Sequence, residues 1–277
     1  MDFSSRLQEL QAVRRSVLCV GLDPDPGLLP EHLTRERPLA EAVMVFNLAL
    51  IEATSASACC YKLNLGFYEA LGAPGWEVFK QTVTAARRKH LVIADGKRGD
   101  IGNTARFYAE AVFGWSACDA CTLSPYLGRD AVQPFLAYPD RAAFVLVRTS
   151  NAGAHEIQEL DCGGKPLYLR TAALAAQWSD GEPGTLGFVL GATQPAAVGQ
   201  VREAHPEIPL LLPGIGAQGG DAAALFTALA VGTGPIIVNS SRQIIYASSD
   251  QDFAEAAERE AESMRASLER ARSASNH

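Results

Sequence analysis

Strand-length apolar runs recur along the chain, at residues 17–22, 58–65, 91–94, 120–123, 143–147, 185–190, 209–212 and 235–238. Between them lie segments whose apolar residues repeat at helical spacing, among them 39–54, 76–89, 104–113, 166–178 and 222–229. Strand and helix periods that alternate in this way predict a parallel sheet wrapped by helices. Eight such units with no repeat, linker or composition shift between them predict one (β/α)₈ TIM barrel spanning residues 1–277. A polar helix precedes the first run, and the Glu-, Arg- and Ala-rich segment 252–274 closes the fold as a last helix.

A barrel of this kind gathers its chemistry at the C-terminal ends of its strands, so polar residues should cluster just after the apolar runs. They do. Asp23 follows the first run, Lys62 and Asn64 end the second, and Asp95 and Lys97 follow the third. Ser124 ends the fourth, Thr149, Ser150 and Asn151 end the fifth, and Gln218 and Arg242 lie past the seventh and eighth. Lys62 sits within YKLNLGFY, where an ammonium requires a partner.

The densest charge lies in LVIADGKRGDIGNT, residues 91–104. Strand alternation puts Asp95 and Lys97 on one face and Gly96 on the other, where the backbone can pass closely against a neighbour. Gly99 and Gly102 then loosen the chain, which places Asp100 in a turn. The last two strand ends suit an anion. LLLPGIGAQGGD is glycine-rich and opens a helix, while Ser240, Ser241 and Arg242 open the next, so backbone N–H groups and a guanidinium could meet a phosphate.

With 277 residues, a net charge of −7 and 48% hydrophobic residues, the chain suits a soluble domain with a large core and lacks the basic face of a nucleic-acid binder. No run approaches the roughly 20 apolar residues of a membrane span, and the N-terminal residues carry no apolar signal core, so a cytoplasmic location is expected. The six cysteines include a lone C-x-x-C, Cys118 and Cys121, with no second ligand pair. Reduced, packed thiols are expected.

GLDPD, YKLN, VIADGKRGDIGNT, VRTSNAG, LLPGIGAQGGD and VNSSR together resemble the orotidine 5′-phosphate decarboxylase family, in its longer bacterial branch. The central string matches the family's D-x-K-x-x-D-[IV]-x-x-T at every fixed place. Leu63 departs from it, standing where that branch carries proline. The resemblance implies decarboxylation of orotidine 5′-phosphate to UMP and CO₂ with neither metal nor organic cofactor. Lys97 would protonate C6, Asp95 would face the departing carboxylate, and Lys62 would link Asp95 to the ribose. Asp100 and Ile101 would reach the neighbouring subunit's site in a homodimer, supported by Thr104. Asp23 would hold a ribose hydroxyl, Ser150 the pyrimidine amide, and Gln218, Ser241 and Arg242 the phosphate, with Pro213 also against the nucleotide. A metal-dependent sugar-phosphate enzyme on the same barrel, a Schiff-base aldolase using Lys97 or Lys62, and a non-catalytic nucleotide-binding barrel are the rival readings.

Overall fold

The computed structural model describes residues 1–215 and 220–275. Eight parallel strands close a barrel in sequence order: β1 (Leu18–Gly21), β2 (Cys60–Asn64), β3 (Leu91–Arg98), β4 (Ala120–Leu123), β5 (Ala142–Arg148), β6 (Thr185–Leu190), β7 (Leu210–Pro213) and β8 (Ile236–Ser240). β8 pairs with β1 to complete the ring. This is the expected TIM barrel, with strand limits that shift by at most a few residues. Helices alternate with the strands, at Leu39–Thr54, Ala73–Ala86, Gly102–Ala109, Arg129–Leu136, Leu167–Trp178, Pro195–Ala204 and Ala222–Leu229. The last helix, Phe253–Ala274, packs against Leu39–Thr54. Among the described residues, no helix is long and apolar enough to cross a membrane.

Two apolar layers result from the alternation of each strand. One fills the space between sheet and helices. The other lies inside the barrel and includes Cys19, Cys60, Leu91, Ile93, Ala120, Phe144, Leu211 and Ile237. Its lower end is plugged by the N-terminal helix Phe3–Arg14, whose Phe3 and Leu7 are fully buried, Phe3 lying edge-on to Phe144 at 5.8 Å. Asp119, fully buried just before β4, anchors this plug. It meets Arg6 at 2.6 Å, Arg87 at 3.2 Å and Arg141 at 3.6 Å, and accepts from the Val92 N–H at 3.0 Å.

The inward set of positions then rises toward the opposite end. Two residues on from Cys60, Ile93, Ala120, Phe144, Leu211 and Ile237 come Lys62, Asp95, Thr122, Leu146, Pro213 and Asn239. All six line one cavity. The strand period that buries an apolar core at the bottom of the barrel therefore delivers polar and charged groups to its top.

Five of the six cysteines are buried and Cys162 is exposed; none is bridged. Burial pushes the Cys118 thiol up to about 12, so it stays protonated and packs as an apolar group.

Candidate active site

The cavity at the C-terminal ends of the strands has a volume of about 570 Å³. It brings together Asp23, Lys62, Asp95, Lys97, Ser150, Pro213, Ser241 and Arg242, residues that lie far apart in sequence. Asn64, Thr149 and Asn151 join them, as their places after the apolar runs predicted.

An alternating charge array forms the floor. Lys62 Nζ lies 2.9 Å from Asp95 Oδ2 and 3.7 Å from Asp23 Oδ1, and Lys97 Nζ lies 2.7 Å from Asp95 Oδ1. The residue Lys62 is only 4% exposed, whereas 47% of the Lys97 side chain is open to the cavity side. The array joins two carboxylates to two ammonium ions, so each buried charge has an opposite neighbour. Burial acts to raise the Asp95 pKa, but Lys62 and Lys97 outweigh it and hold this carboxyl well below the usual range. Burial likewise acts to lower Lys62, yet Asp23 and Asp95 outweigh it and keep Lys62 above the ordinary lysine value. Asp23 is fixed in turn by the Asn64 N–H, which donates to its Oδ1 at 3.1 Å.

Asp95 and Lys97 converge as expected, by a different backbone path. Regular alternation fails at the end of β3, where the register against β4 shifts between Ala94 and Arg98. Lys97 adopts a left-handed backbone with φ 45°, a conformation costly for a residue with a Cβ. Thr122 secures it by accepting the Lys97 N–H at 3.0 Å. Gly96 makes the close approach that its lack of a side chain allows: a Cβ there would lie 2.7 Å from Leu65 Cδ1.

Asp100, Ile101 and Thr104 do not line the cavity of their own chain. Asp100 and Ile101 lie between β3 and the helix Gly102–Ala109, which Gly102 opens at φ 46° and which carries Thr104 in its first turn, and Ile101 is 57% exposed. The Asp100 carboxylate accepts the Ile101 N–H at 2.8 Å. Gln218 lies outside the described residues. Ser124 falls short of the cavity, which takes Thr122 from β4 instead.

The helix that follows the glycine-rich loop does not offer its first N–H groups to an anion as the sequence suggested. Asp221 caps it, accepting from Ala223 N at 2.8 Å and Ala224 N at 3.3 Å. Among the described residues, Ser241 and Arg242 remain the polar groups at this edge of the cavity that suit an anion. Sequence reasoning missed Thr122, Leu146, Val189 and Asn239 as lining residues. Counting inward positions two by two from Ala120, Phe144 and Ile237 would have reached three of them.

A family profile described as orotidine 5′-phosphate decarboxylase / HUMPS family matches residues 16–258. The chain is 45% identical over 262 residues to the orotidine 5′-phosphate decarboxylase of Herpetosiphon aurantiacus, covering 94% of this chain and 95% of that one. It is 45% identical to the enzyme of the same name from Thermomicrobium roseum, with 98% and 96% covered. Among solved structures, the OMP decarboxylase of Leishmania donovani superposes with a TM-score of 0.80 at 34% identity, covering 98% of this chain and 99% of the other. A Toxoplasma gondii structure gives a TM-score of 0.87 at 32% identity, with 99% and 98% covered. The chain thus has full-length relatives both in sequence and in structure, and it belongs to the orotidine 5′-phosphate decarboxylase / HUMPS family.

Proposed function

We propose that this chain decarboxylates orotidine 5′-phosphate to UMP and CO₂, and that the Asp23–Lys62–Asp95–Lys97 array is its catalytic machinery. The observation that carries the reading is the engagement of both Asp95 oxygens by ammonium groups, one of which opens to the cavity. The family description pairs orotidine 5′-phosphate decarboxylase with HUMPS, and the full-length relatives at 45% identity are named for orotidine 5′-phosphate decarboxylation.

Loss of CO₂ from C6 of the pyrimidine leaves an electron pair with no adjacent carbonyl or imine to spread it. The protein must supply a fixed positive charge at that carbon, and a preorganised ammonium does so without reorganising solvent. Lys97 stabilises the developing carbanion and then delivers its proton to C6. Asp95 keeps Lys97 charged and oriented, and its negative charge faces the departing carboxylate. Lys62 balances Asp95 and reaches with Asp23 toward the ribose hydroxyls. Ser150 serves the pyrimidine amide, Pro213 lies against the nucleotide, and Ser241, Arg242 and Gln218 take the phosphate. The phosphate lies far from the reacting carbon, so its binding energy is available for closing and ordering the site around the ring.

The exposed Ile101 and Thr104, with the half-buried Asp100 beside them, support a shared site in a homodimer. Each subunit lends Asp100 and Ile101 to its partner's cavity, where Asp100 extends the charge array past Lys97. No step in this scheme uses a metal or an organic cofactor, and the location is cytoplasmic.

The test is the loss of orotidine 5′-phosphate absorbance on adding purified protein, with and without EDTA. Rapid loss that EDTA leaves unchanged is the expected outcome. No loss, or loss that EDTA abolishes, would return the barrel to a binding or metal-dependent sugar-phosphate role.

A further inference from the structure

We infer that Thr122 is a positioning residue for this reaction, its hydroxyl acting as the pivot that holds Asp95 and Lys97 in register with each other. The inference rests on the proposed decarboxylase reading for its kinetic consequence, and on geometry for the rest.

A threonine hydroxyl has one proton to give and lone pairs to receive. Thr122 Oγ1 spends its proton on Asp95 Oδ1 at 2.8 Å and accepts the Lys97 N–H at 3.0 Å. One buried atom therefore touches both members of the acid–ammonium pair, one through its carboxylate and the other through its backbone. The second contact falls at the residue that carries the strained left-handed φ of 45°. Without an acceptor there, the Lys97 N–H would be left unpaired, and the bulge that swings its ammonium back onto Asp95 would be held to β4 only beyond it, where the Ser124 N–H donates to the Arg98 carbonyl at 2.8 Å. The branched side chain also stiffens χ1, so the oxygen is held in place by rotamer as well as by hydrogen bonds. Valine matches threonine in shape and lacks only this oxygen.

Thr122→Val is expected to lower kcat by roughly 10- to 100-fold, the effect of losing hydrogen bonds to a charged pair. KM and UMP affinity should stay within about 3-fold of the parent, because the phosphate and ribose contacts lie elsewhere. Thr122→Ser keeps the hydroxyl and should hold kcat within about 3-fold of the parent. A second readout needs no substrate. Hydrogen exchange at the Lys97 amide, followed by NMR, should accelerate by about 10-fold or more in Thr122→Val and little in Thr122→Ser. Thr122→Ala, read in parallel, keeps the test standing if the valine variant misfolds. Parent-like kcat in a hydroxyl-free variant with unchanged Lys97 exchange would overturn the inference, and so would a serine variant as slow as the valine one. A parent protein that leaves orotidine 5′-phosphate intact would overturn the function instead, with the exchange measurement still deciding the pivot.

Discussion

Gly21 and Ser241 meet so closely at the mouth of the barrel that a Cβ on Gly21 would lie 1.8 Å from Ser241 Oγ and 2.8 Å from its Cβ. Gly21 occupies an inward position of β1, level with Lys62 on β2, and its missing side chain is the space into which the start of the Arg242 segment folds. Gly21→Ala must displace Ser241, and with it the edge of the cavity proposed to take the phosphate. A shift on the order of 1 Å there should lower kcat/KM by about 100-fold. Titration of UMP by calorimetry should show a matching loss of affinity. Parent-like UMP binding in this variant would mean that Ser241 does not serve the nucleotide.

Lys97→Ala removes the only charge of the array that opens broadly to the cavity. In the proposed mechanism proton delivery and carbanion stabilisation disappear together, so turnover should fall by at least about 10⁴-fold. UMP should still bind, since Asp23, Ser241 and Arg242 are untouched. Residual decarboxylation within about 10-fold of the parent would remove Lys97 from the proton-donor role.

The eight strands, the polar residues at their ends and the charged motif at the end of β3 were legible because each is a short apolar run followed by polar or charged residues. Lys62 was legible because a lysine in an apolar run needs a partner, and it has two. Thr122 was not, since nothing near it in sequence shows that Lys97, on the neighbouring strand, needs an acceptor for a left-handed N–H. The same limit applies to Asp221: an aspartate after four glycines looks like part of an anion site until the helix N–H groups it caps are seen. Ser124, two residues on from Thr122, stands just past the end of β4, and only Thr122 lines the cavity, so a correct side-chain alternation did not fix how far along the strand the cavity reaches.

Lys62 and Asp95 give the array a defined pH window. The folded pKa of Asp95 is depressed below its ordinary value of 3.8, so its contribution to stability is present above that value and is lost as pH falls through the folded pKa. The folded pKa of Lys62 is raised above 10.5, so its contribution is full below that value and is lost as pH rises through the folded pKa. Lys62→Met leaves Asp95 with Lys97 alone and removes the charge beside Asp23. It should cost about 3 kcal/mol at neutral pH, as expected when one partner of a buried pair is removed. Thermal unfolding from pH 3 to 9 should show the variant closing on the parent below about pH 4, where the carboxylates begin to protonate in the unfolded chain. A parallel offset across the whole range would assign the loss to packing rather than charge.

Asp119 offers the contrasting case, a charge cluster at the far end of the barrel and outside the cavity. Asp119→Ala would orphan the Val92 N–H and leave Arg6, Arg87 and Arg141 without their shared carboxylate. Those arginines are partly exposed and can turn to water, which lowers the cost to about 2–3 kcal/mol. In a chain of this size that corresponds to a Tm lower by roughly 4–12 °C. The kcat of the folded variant should equal that of the parent, and a fall in kcat without a fall in Tm would contradict the assignment.

The proposed shared site is open to a test by mixing subunits. If Asp100 serves the partner's cavity, a dimer of one Lys97→Ala chain and one Asp100→Asn chain holds one intact site, with Lys97 from the second chain and Asp100 from the first. Each variant alone should be nearly inactive. After co-refolding at equal amounts, about half the dimers are hybrids and each has one working site of two, so about a quarter of the parent activity should return. If Asp100 instead completed the site of its own chain, no hybrid would contain an intact site and mixing would restore nothing. Ile101→Glu should give the complementary result: the exposed apolar side chain at the turn becomes charged, the dimer weakens, and activity becomes dependent on protein concentration, which sedimentation velocity would follow directly.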